Sequence, residues 1–241
     1  MAGRIILCLG MHRSGTSLIA NSLECLGAEL GPRAHWAGPD NPKSFGEDID
    51  ILSANESLLR FAQSAWDNPD PVIYNVRLPS PFIKFISDRL GQFPIWGLKE
   101  PRMCRLLPVW RPVFEEVGCE VSVVHAVRHP MEVARSLYKR NGIPIERGLA
   151  LWLEYTKRAH EDSDPAWKSV TVSYTNMALI PGEEITRIGA ALGLTPNAEK
   201  IRVFAKDFVS DDLRHEEVYD DDGLPLDVKM LYHTSLLKAF N

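Results

Sequence analysis

The sequence lacks the long apolar segments that cross membranes. Its 241 residues contain no apolar run near the roughly 20 residues that a spanning helix needs. Arg4 is followed by only five apolar residues, too few for the apolar region of a secretory signal peptide. We therefore expect a cytoplasmic protein. With 45% hydrophobic and 24% charged residues the composition is that of a globular chain, and we expect one domain over residues 1–241.

Cysteine is scarce, and basic charge is confined to one part of the chain. The four cysteines lie far apart without zinc-ligand spacing, so we expect free core thiols and no metal. The net charge is −5, although residues 99–158 hold 11 Lys and Arg against 7 Asp and Glu. Binding of nucleic acid needs a broad cationic face, which this distribution argues against. A basic middle in an acidic chain favours a pocket for a small anionic ligand.

A phosphate-binding loop near the start of the chain lacks its usual lysine. Residues 5–9 form an apolar run typical of a buried parallel strand, and apolar residues recur at helical spacing from Leu18 onward. Between them stands the segment Gly10-Met11-His12-Arg13-Ser14-Gly15-Thr16-Ser17. A strand, a glycine-bounded loop and a helix present backbone N–H groups to a phosphate. Thr16 replaces the Lys that reaches a triphosphate in nucleoside triphosphatases, so the loop fits one 5′-phosphate and no bridging metal.

Charged residues follow two later strands. An apolar strand at 95–98 runs into Lys99-Glu100-Pro101-Arg102, where Pro101 ends the strand. A strand at 120–127 ends in Arg128, and Ser136 lies two turns inside the helix predicted at 130–140. Alternating strands and helices predict a three-layer α/β/α fold around a central, mostly parallel sheet. Because the carboxyl ends of parallel strands share one edge, we expect these clusters and the loop to converge there.

These motifs resemble those of one enzyme family. The segment His12-Arg13-Ser14-Gly15-Thr16-Ser17 is similar to the 5′-phosphosulfate loop of sulfotransferases, which use 3′-phosphoadenosine-5′-phosphosulfate (PAPS). The spacing of Arg128 and Ser136 resembles the pair that holds the 3′-phosphate of PAPS in that family, and residues 97–102 resemble a segment of bacterial carbohydrate sulfotransferases. The resemblance covers most of the chain. It implies the P-loop fold and transfer of a sulfuryl group from PAPS, without a metal, to a hydroxyl or amine of a small-molecule or carbohydrate acceptor.

The resemblance also implies roles for individual residues. Nucleotide binding is expected from the loop and the distant pair, namely His12, Arg13, Ser14, Gly15, Thr16, Ser17, Arg128 and Ser136. Arg13 would stabilise the leaving group, and Lys99 would neutralise the sulfuryl group or orient the acceptor. Glu47, at the end of a Gly- and Pro-rich loop at 31–46, is the expected general base. Glu100 and Arg102 are expected to contact the acceptor.

Other interpretations stay open at this level. The base could instead be Glu100 or a histidine, and the candidates are His12, His35 and His125. Glu47 could merely cap the following helix, and Lys99 could form only a strand-end salt bridge. Thr175-Asn176 stand where the family has an acidic pair, which leaves the preceding Tyr174 without an assigned adenine role. Four aromatic residues are candidates to contact a sugar, namely Trp36, Phe45, Trp66 and Trp152.

Two other functions remain to be weighed against sulfuryl transfer. The first is a P-loop kinase of a small metabolite, which would need a Lys at the position of Thr16 and a carboxylate at a strand end for Mg²⁺. The second is a non-catalytic nucleotide-binding domain that keeps the fold without turnover.

Overall fold

The computed structural model of the protein describes residues 3–32, 46–72, 75–208 and 220–240. Its four strands are β1 (Arg4–Leu9), β2 (Ile95–Lys99), β3 (Glu120–Val127) and β4 (Lys168–Ser173). They form an all-parallel sheet in the order β2-β1-β3-β4. Helices pack on both faces of the sheet, which confirms the predicted three-layer α/β/α architecture.

Ten α-helices lie within the described residues. They are α1 (Thr16–Ser22), α2 (Ile49–Phe61), α3 (Ser80–Gln92), α4 (Met103–Val117), α5 (Pro130–Asn141), α6 (Ile145–Glu161), α7 (Tyr174–Leu179), α8 (Pro181–Leu192), α9 (Ala198–Phe208) and α10 (Leu226–Phe240). A 3₁₀ turn, Leu23–Leu26, follows α1, and the left-handed Gly27 ends it.

The central strand β1 is buried on both faces, which explains its unbroken apolar run. Alternate side chains enter two different apolar clusters: Leu7 and Leu9 face one, and Ile6 and Cys8 face the other. The chain crosses from β1 to β2 on one side and then returns to β3 on the other side. Such a reversal opens a crevice at the carboxyl ends of the strands. The segments that leave β1, β2, β3 and β4 therefore share one edge of the sheet.

Helix α4 begins earlier than predicted. The sequence favoured a start at residue 106, but the helix starts at Met103. The amides of Met103 and Cys104 donate to the carbonyls of Glu100 and Pro101, so the chain turns directly from the end of β2 into the helix.

The acidic composition of residues 206–227 predicts turns, but the described residues at both ends of this segment are helical. Helix α9 extends to Phe208, and α10 begins at Leu226. The sequence does contain a start signal for α9, since Asn is a preferred N-cap residue and Asn197 precedes the helix. In the structure Asn197 Oδ1 accepts a hydrogen bond from the amide of Lys200.

The four cysteines are free, as predicted. Burial raises the pKa of the Cys8 thiol to about 12 and that of Cys119 to about 11, so both are protonated at neutral pH. In the part of the chain that the structure describes, no helix combines the length and apolar character needed to cross a bilayer.

Candidate active site

The loop between β1 and α1 makes a tight turn with unusual backbone angles. Arg13 and Gly15 both have left-handed φ values, 71° and 79°. For a non-glycine residue such as Arg13 this conformation costs on the order of 1 kcal/mol and is typical of functional sites. Thr16, which is buried, and Ser17 form the first turn of α1 directly after the loop.

The Ser14 hydroxyl points to a ligand in this loop. Ser14 is 1% exposed, and its Oγ has no hydrogen-bond partner among the described residues. A buried polar group without a partner is costly, so this hydroxyl is suited to hydrogen-bond an ion or ligand bound in the loop. The Ser14 hydroxyl can therefore donate a hydrogen bond to a phosphate bound in the loop.

Arg128, the first residue after β3, lies against the same loop. Its Nη1 donates to the carbonyl oxygen of Arg13 at 3.2 Å, and its Nε donates to Glu132 Oε2 at 2.7 Å. Arg128 is 8% exposed. Within the described part of the chain its third nitrogen, Nη2, makes no hydrogen bond. The guanidinium is thus fixed by two partners and keeps one edge available for an anion.

Ser136 completes a contact between the two distant motifs. It lies on α5, and its Oγ accepts a hydrogen bond from Arg13 Nε at 2.8 Å. The structure therefore brings the loop at 10–17 together with both Arg128 and Ser136, as the sequence led us to expect. Their roles in binding stay predictions.

Glu47 and Lys99 form a buried ion pair at the end of β2. Lys99 Nζ donates to Glu47 Oε1 at 2.6 Å, and the two backbones pair as a parallel bridge. Helix α2 is capped by Asp48, whose Oδ1 accepts from the amides of Asp50 and Ile51. The capping interpretation of Glu47 is therefore wrong, and the strand-end salt bridge of Lys99 is present.

Glu100 and Arg102 are bound to internal partners. Glu100 is 0% exposed and accepts hydrogen bonds from Asn55 and Arg102, while Arg102 also pairs with Glu56. Burial raises the pKa of the Glu100 carboxyl, and the charge of Arg102 opposes this shift. Trp110 Nε1 donates a hydrogen bond to Asn55 Oδ1 at 2.8 Å, so the network extends to α4. Contact of Glu100 or Arg102 with an acceptor stays a prediction.

His12 lies in a cationic environment. Its ring centroid lies 4.8 Å from that of Trp66, and its Nε2 is buried without a hydrogen-bond partner among the described residues. Burial lowers the pKa of His12 well below its usual value, and nearby positive charges lower it further, namely Arg102, Lys99, Arg140 and Arg13. The imidazole is therefore neutral at pH 7, and the surrounding charges favour a bound anion.

Several other predicted contacts have a different outcome. Trp152, one of the candidates to contact a sugar, is 1% exposed and donates from Nε1 to the carbonyl oxygen of Arg128 at 3.1 Å, so it packs in the core behind that residue. His125 is buried and stacks on His160 with ring centroids 4.2 Å apart. Residues outside the described ranges include His35, Trp36 and Phe45.

Two residues that support the site are not among those predicted from the sequence. Glu132 fixes Arg128 from the first turn of α5, four residues further along the chain. Asn55 on α2 links Glu100 to Trp110 on α4, and no local sequence pattern predicts such a contact.

Solved structures share this fold. The sulfotransferase domain of the Synechococcus PCC 7002 olefin synthase superposes with a TM-score of 0.62 at 18% identity, over 97% of this chain and 94% of that chain. The sulfotransferase domain from the curacin biosynthetic pathway gives a TM-score of 0.55 at 12% identity, over 97% of both chains. No protein-family model matches the chain, and no curated protein sequence matches it. The chain has the P-loop α/β fold of sulfotransferase domains, which confirms the fold that the resemblance implied.

Proposed function

We propose that the protein is a PAPS-dependent sulfotransferase that acts on a hydroxyl or amine of a small-molecule or carbohydrate acceptor. The observation that carries this proposal is the contact of Arg13 with both Ser136 and Arg128. It places a loop suited to one phosphate beside an arginine–serine pair suited to another. A nucleotide with phosphates on both its 5′ and 3′ oxygens satisfies both, and the fold supports the assignment.

The side chains at the site fit the two phosphates of such a donor. Ser14 Oγ and the loop amides would bind the 5′-phosphosulfate, since this hydroxyl has no other partner among the described residues. Nη2 of Arg128 would bind the 3′-phosphate. Ser136 uses an oxygen lone pair for Arg13 and keeps its own O–H to donate to the same phosphate.

The reaction needs a base and positive charge near the transferred group. In our proposal Glu47 takes the acceptor proton while the acceptor oxygen or nitrogen attacks sulfur. The sulfur–oxygen bond to the 5′-phosphate breaks, which releases adenosine 3′,5′-bisphosphate (PAP) and the sulfated acceptor. Arg13 stabilises the charge on the departing oxygen. Lys99, hydrogen-bonded to Glu47, orients that carboxylate and adds positive charge for the sulfuryl group.

The contacts of the two carboxylates favour Glu47 over Glu100 as the base. Glu100 is fully buried and accepts from two internal partners, whereas Glu47 has Lys99 as its one side-chain ion-pair partner among the described residues. Both oxygens of Glu100 already accept a hydrogen bond, and its side chain is fully buried. In the part of the chain that the structure describes, only Oε1 of Glu47 is paired with Lys99, which leaves Oε2 to take a proton.

Titration calorimetry with PAP and with ATP plus Mg²⁺ tests the proposed donor. We expect PAP to bind more tightly, because the loop has Thr16 where a triphosphate needs a lysine. Tighter binding of ATP with Mg²⁺ would support a kinase instead. A screen of alcohols, amines and sugars with radiolabelled PAPS then tests turnover. PAP binding without sulfate transfer to any acceptor would indicate a non-catalytic nucleotide-binding domain.

A further inference from the structure

The aromatic ring of Tyr174 touches both halves of the proposed nucleotide site. Tyr174 is the first residue of α7 and is 6% exposed. The Arg128 guanidinium carbon lies 4.4 Å from the centroid of its ring. On the loop side, a Cβ added to Gly15 would lie only 2.1 Å from Tyr174 Cδ2. One ring therefore packs against the 5′-phosphate loop and against the arginine assigned to the 3′-phosphate.

The sheet register explains why Tyr174 lies beside Arg128. In the parallel pair of β3 and β4, Val127 is opposite Ser173. Arg128 and Tyr174 directly follow these two residues, so they lie side by side at the same edge of the sheet. Ser173 then turns the chain into α7 by accepting a hydrogen bond at its Oγ from the amide of Asn176.

The contacts of Arg128 leave one direction for its remaining N–H groups. Glu132 and the Arg13 carbonyl occupy two edges of the guanidinium plane, and the Tyr174 ring covers a face of that plane. An arginine over an aromatic face is attracted by the negative potential of the ring. The ring therefore restricts rotation of the guanidinium out of the plane in which its two hydrogen bonds lie.

We propose that Tyr174 is a positioning residue that sets the preference for a nucleotide carrying a 3′-phosphate. It acts through Arg128, whose orientation it fixes, and this action needs the aromatic face and not the phenol hydroxyl. The inference rests on the proposed function, since it assumes that Arg128 binds the 3′-phosphate. It is separate from any contact of Tyr174 with adenine, because adenine is present in nucleotides with and without that phosphate.

The test compares PAP with 5′-AMP, which lacks the 3′-phosphate. Calorimetry gives both dissociation constants for the wild type, Tyr174→Leu and Tyr174→Phe. We expect Tyr174→Leu to weaken PAP binding about tenfold and to change 5′-AMP binding little, while Tyr174→Phe keeps the wild-type preference. Trp167→Leu is the matched control, because Trp167 lies under Arg111 at 5.7 Å in another part of the fold. It should leave both constants unchanged.

Further measurements separate positioning from a general structural effect. In an Arg128→Ala background, Tyr174→Leu should cause no additional loss of PAP affinity. A fluorinated phenylalanine at position 174 weakens the negative potential of the ring face with little change of shape. It should weaken PAP binding as Tyr174→Leu does, although the aromatic packing is kept. Equal losses for PAP and 5′-AMP, or a retained preference for PAP in Tyr174→Leu, would overturn the inference alone. A wild-type protein that binds neither nucleotide would overturn the proposed function as well.

Discussion

Arg13 donates from its Nε to Ser136 Oγ at 2.8 Å, across 123 positions of the sequence. The backbone of the same residue accepts from Arg128 Nη1. Arg13 is thus bonded to both members of the distant pair, once through its side chain and once through its carbonyl. A change in either member is transmitted directly to the loop that follows β1.

Ser136→Ala should weaken PAP binding by roughly ten- to a hundredfold. The substitution removes the hydroxyl that we assign to the 3′-phosphate and also its hydrogen bond with Arg13. A hydrogen bond to a charged group contributes about 1.5–3 kcal/mol. Calorimetry measures the effect. Ser163→Ala is the control, since Ser163 Oγ donates to the Ala159 carbonyl at the end of α6 and should leave PAP binding unchanged. Wild-type affinity in Ser136→Ala would remove Ser136 from the site.

Gly15→Ala should destabilise the protein more than Gly118→Ala. Both glycines have left-handed φ values, 79° and 68°, so alanine costs about 1–2 kcal/mol at either position. At Gly15 the added Cβ would also lie 2.1 Å from the Tyr174 ring, whereas at Gly118 it meets no atom within 4 Å. Overpacking adds about 1–3 kcal/mol. Urea unfolding compares the two variants, and equal losses would show that Tyr174 does not press on the loop.

Glu47→Gln should lower turnover by roughly 10²–10⁴ and leave PAP affinity close to that of the wild type, because a general base contributes about that much to the rate. The rate of sulfate transfer to an acceptor found in the screen is the measurement. Glu116→Gln is the control, since Glu116 forms only an exposed ion pair with Arg77. Unchanged turnover in Glu47→Gln would move the base to Glu100 or to a histidine.

Much of this site could be predicted because its parts are local in sequence. A strand, a loop and a helix specify a phosphate-binding loop, and a strand end followed by Pro130 places Arg128 and Ser136. The parallel sheet then brings these segments to one edge, since all its strands point the same way. The contact between Arg13 and Ser136 follows from the same topology, although its hydrogen bond could not be read from the sequence.

The remaining features depend on packing between segments that share no pattern. Tyr174 follows β4 directly, but its contact with Gly15 depends on the distance between α7 and the loop. The partner of Glu47 likewise comes from β2, through a backbone bridge to a residue that belongs to no helix or strand. Such contacts depend on the distances between packed elements, and no pattern in a single sequence gives those distances.

Stability should fall as the pH is lowered from about 6.5 towards 4. Burial, and then the charge of Lys238, lower the pKa of His160 to about 4, and burial also lowers the pKa of its stacking partner His125. The folded state therefore binds fewer protons than the unfolded chain in this range, so protonation favours unfolding. The shift of His160 alone corresponds to about 3 kcal/mol. Urea unfolding at several pH values should show a smaller loss in His160→Gln, and an unchanged loss would contradict this origin.

The most direct test of the nucleotide site is the affinity of wild-type protein and Arg128→Ala for PAP and for 5′-AMP. We predict that the wild type prefers PAP and that Arg128→Ala loses more than an order of magnitude in PAP affinity, with little change for 5′-AMP, because the 3′-phosphate loses its charged partner. Arg111→Ala is the control, because Arg111 forms an ion pair with Asp164, and this variant should bind both nucleotides as the wild type does. If Arg128→Ala binds PAP as tightly as the wild type does, the loop and Arg128 do not hold one nucleotide between them.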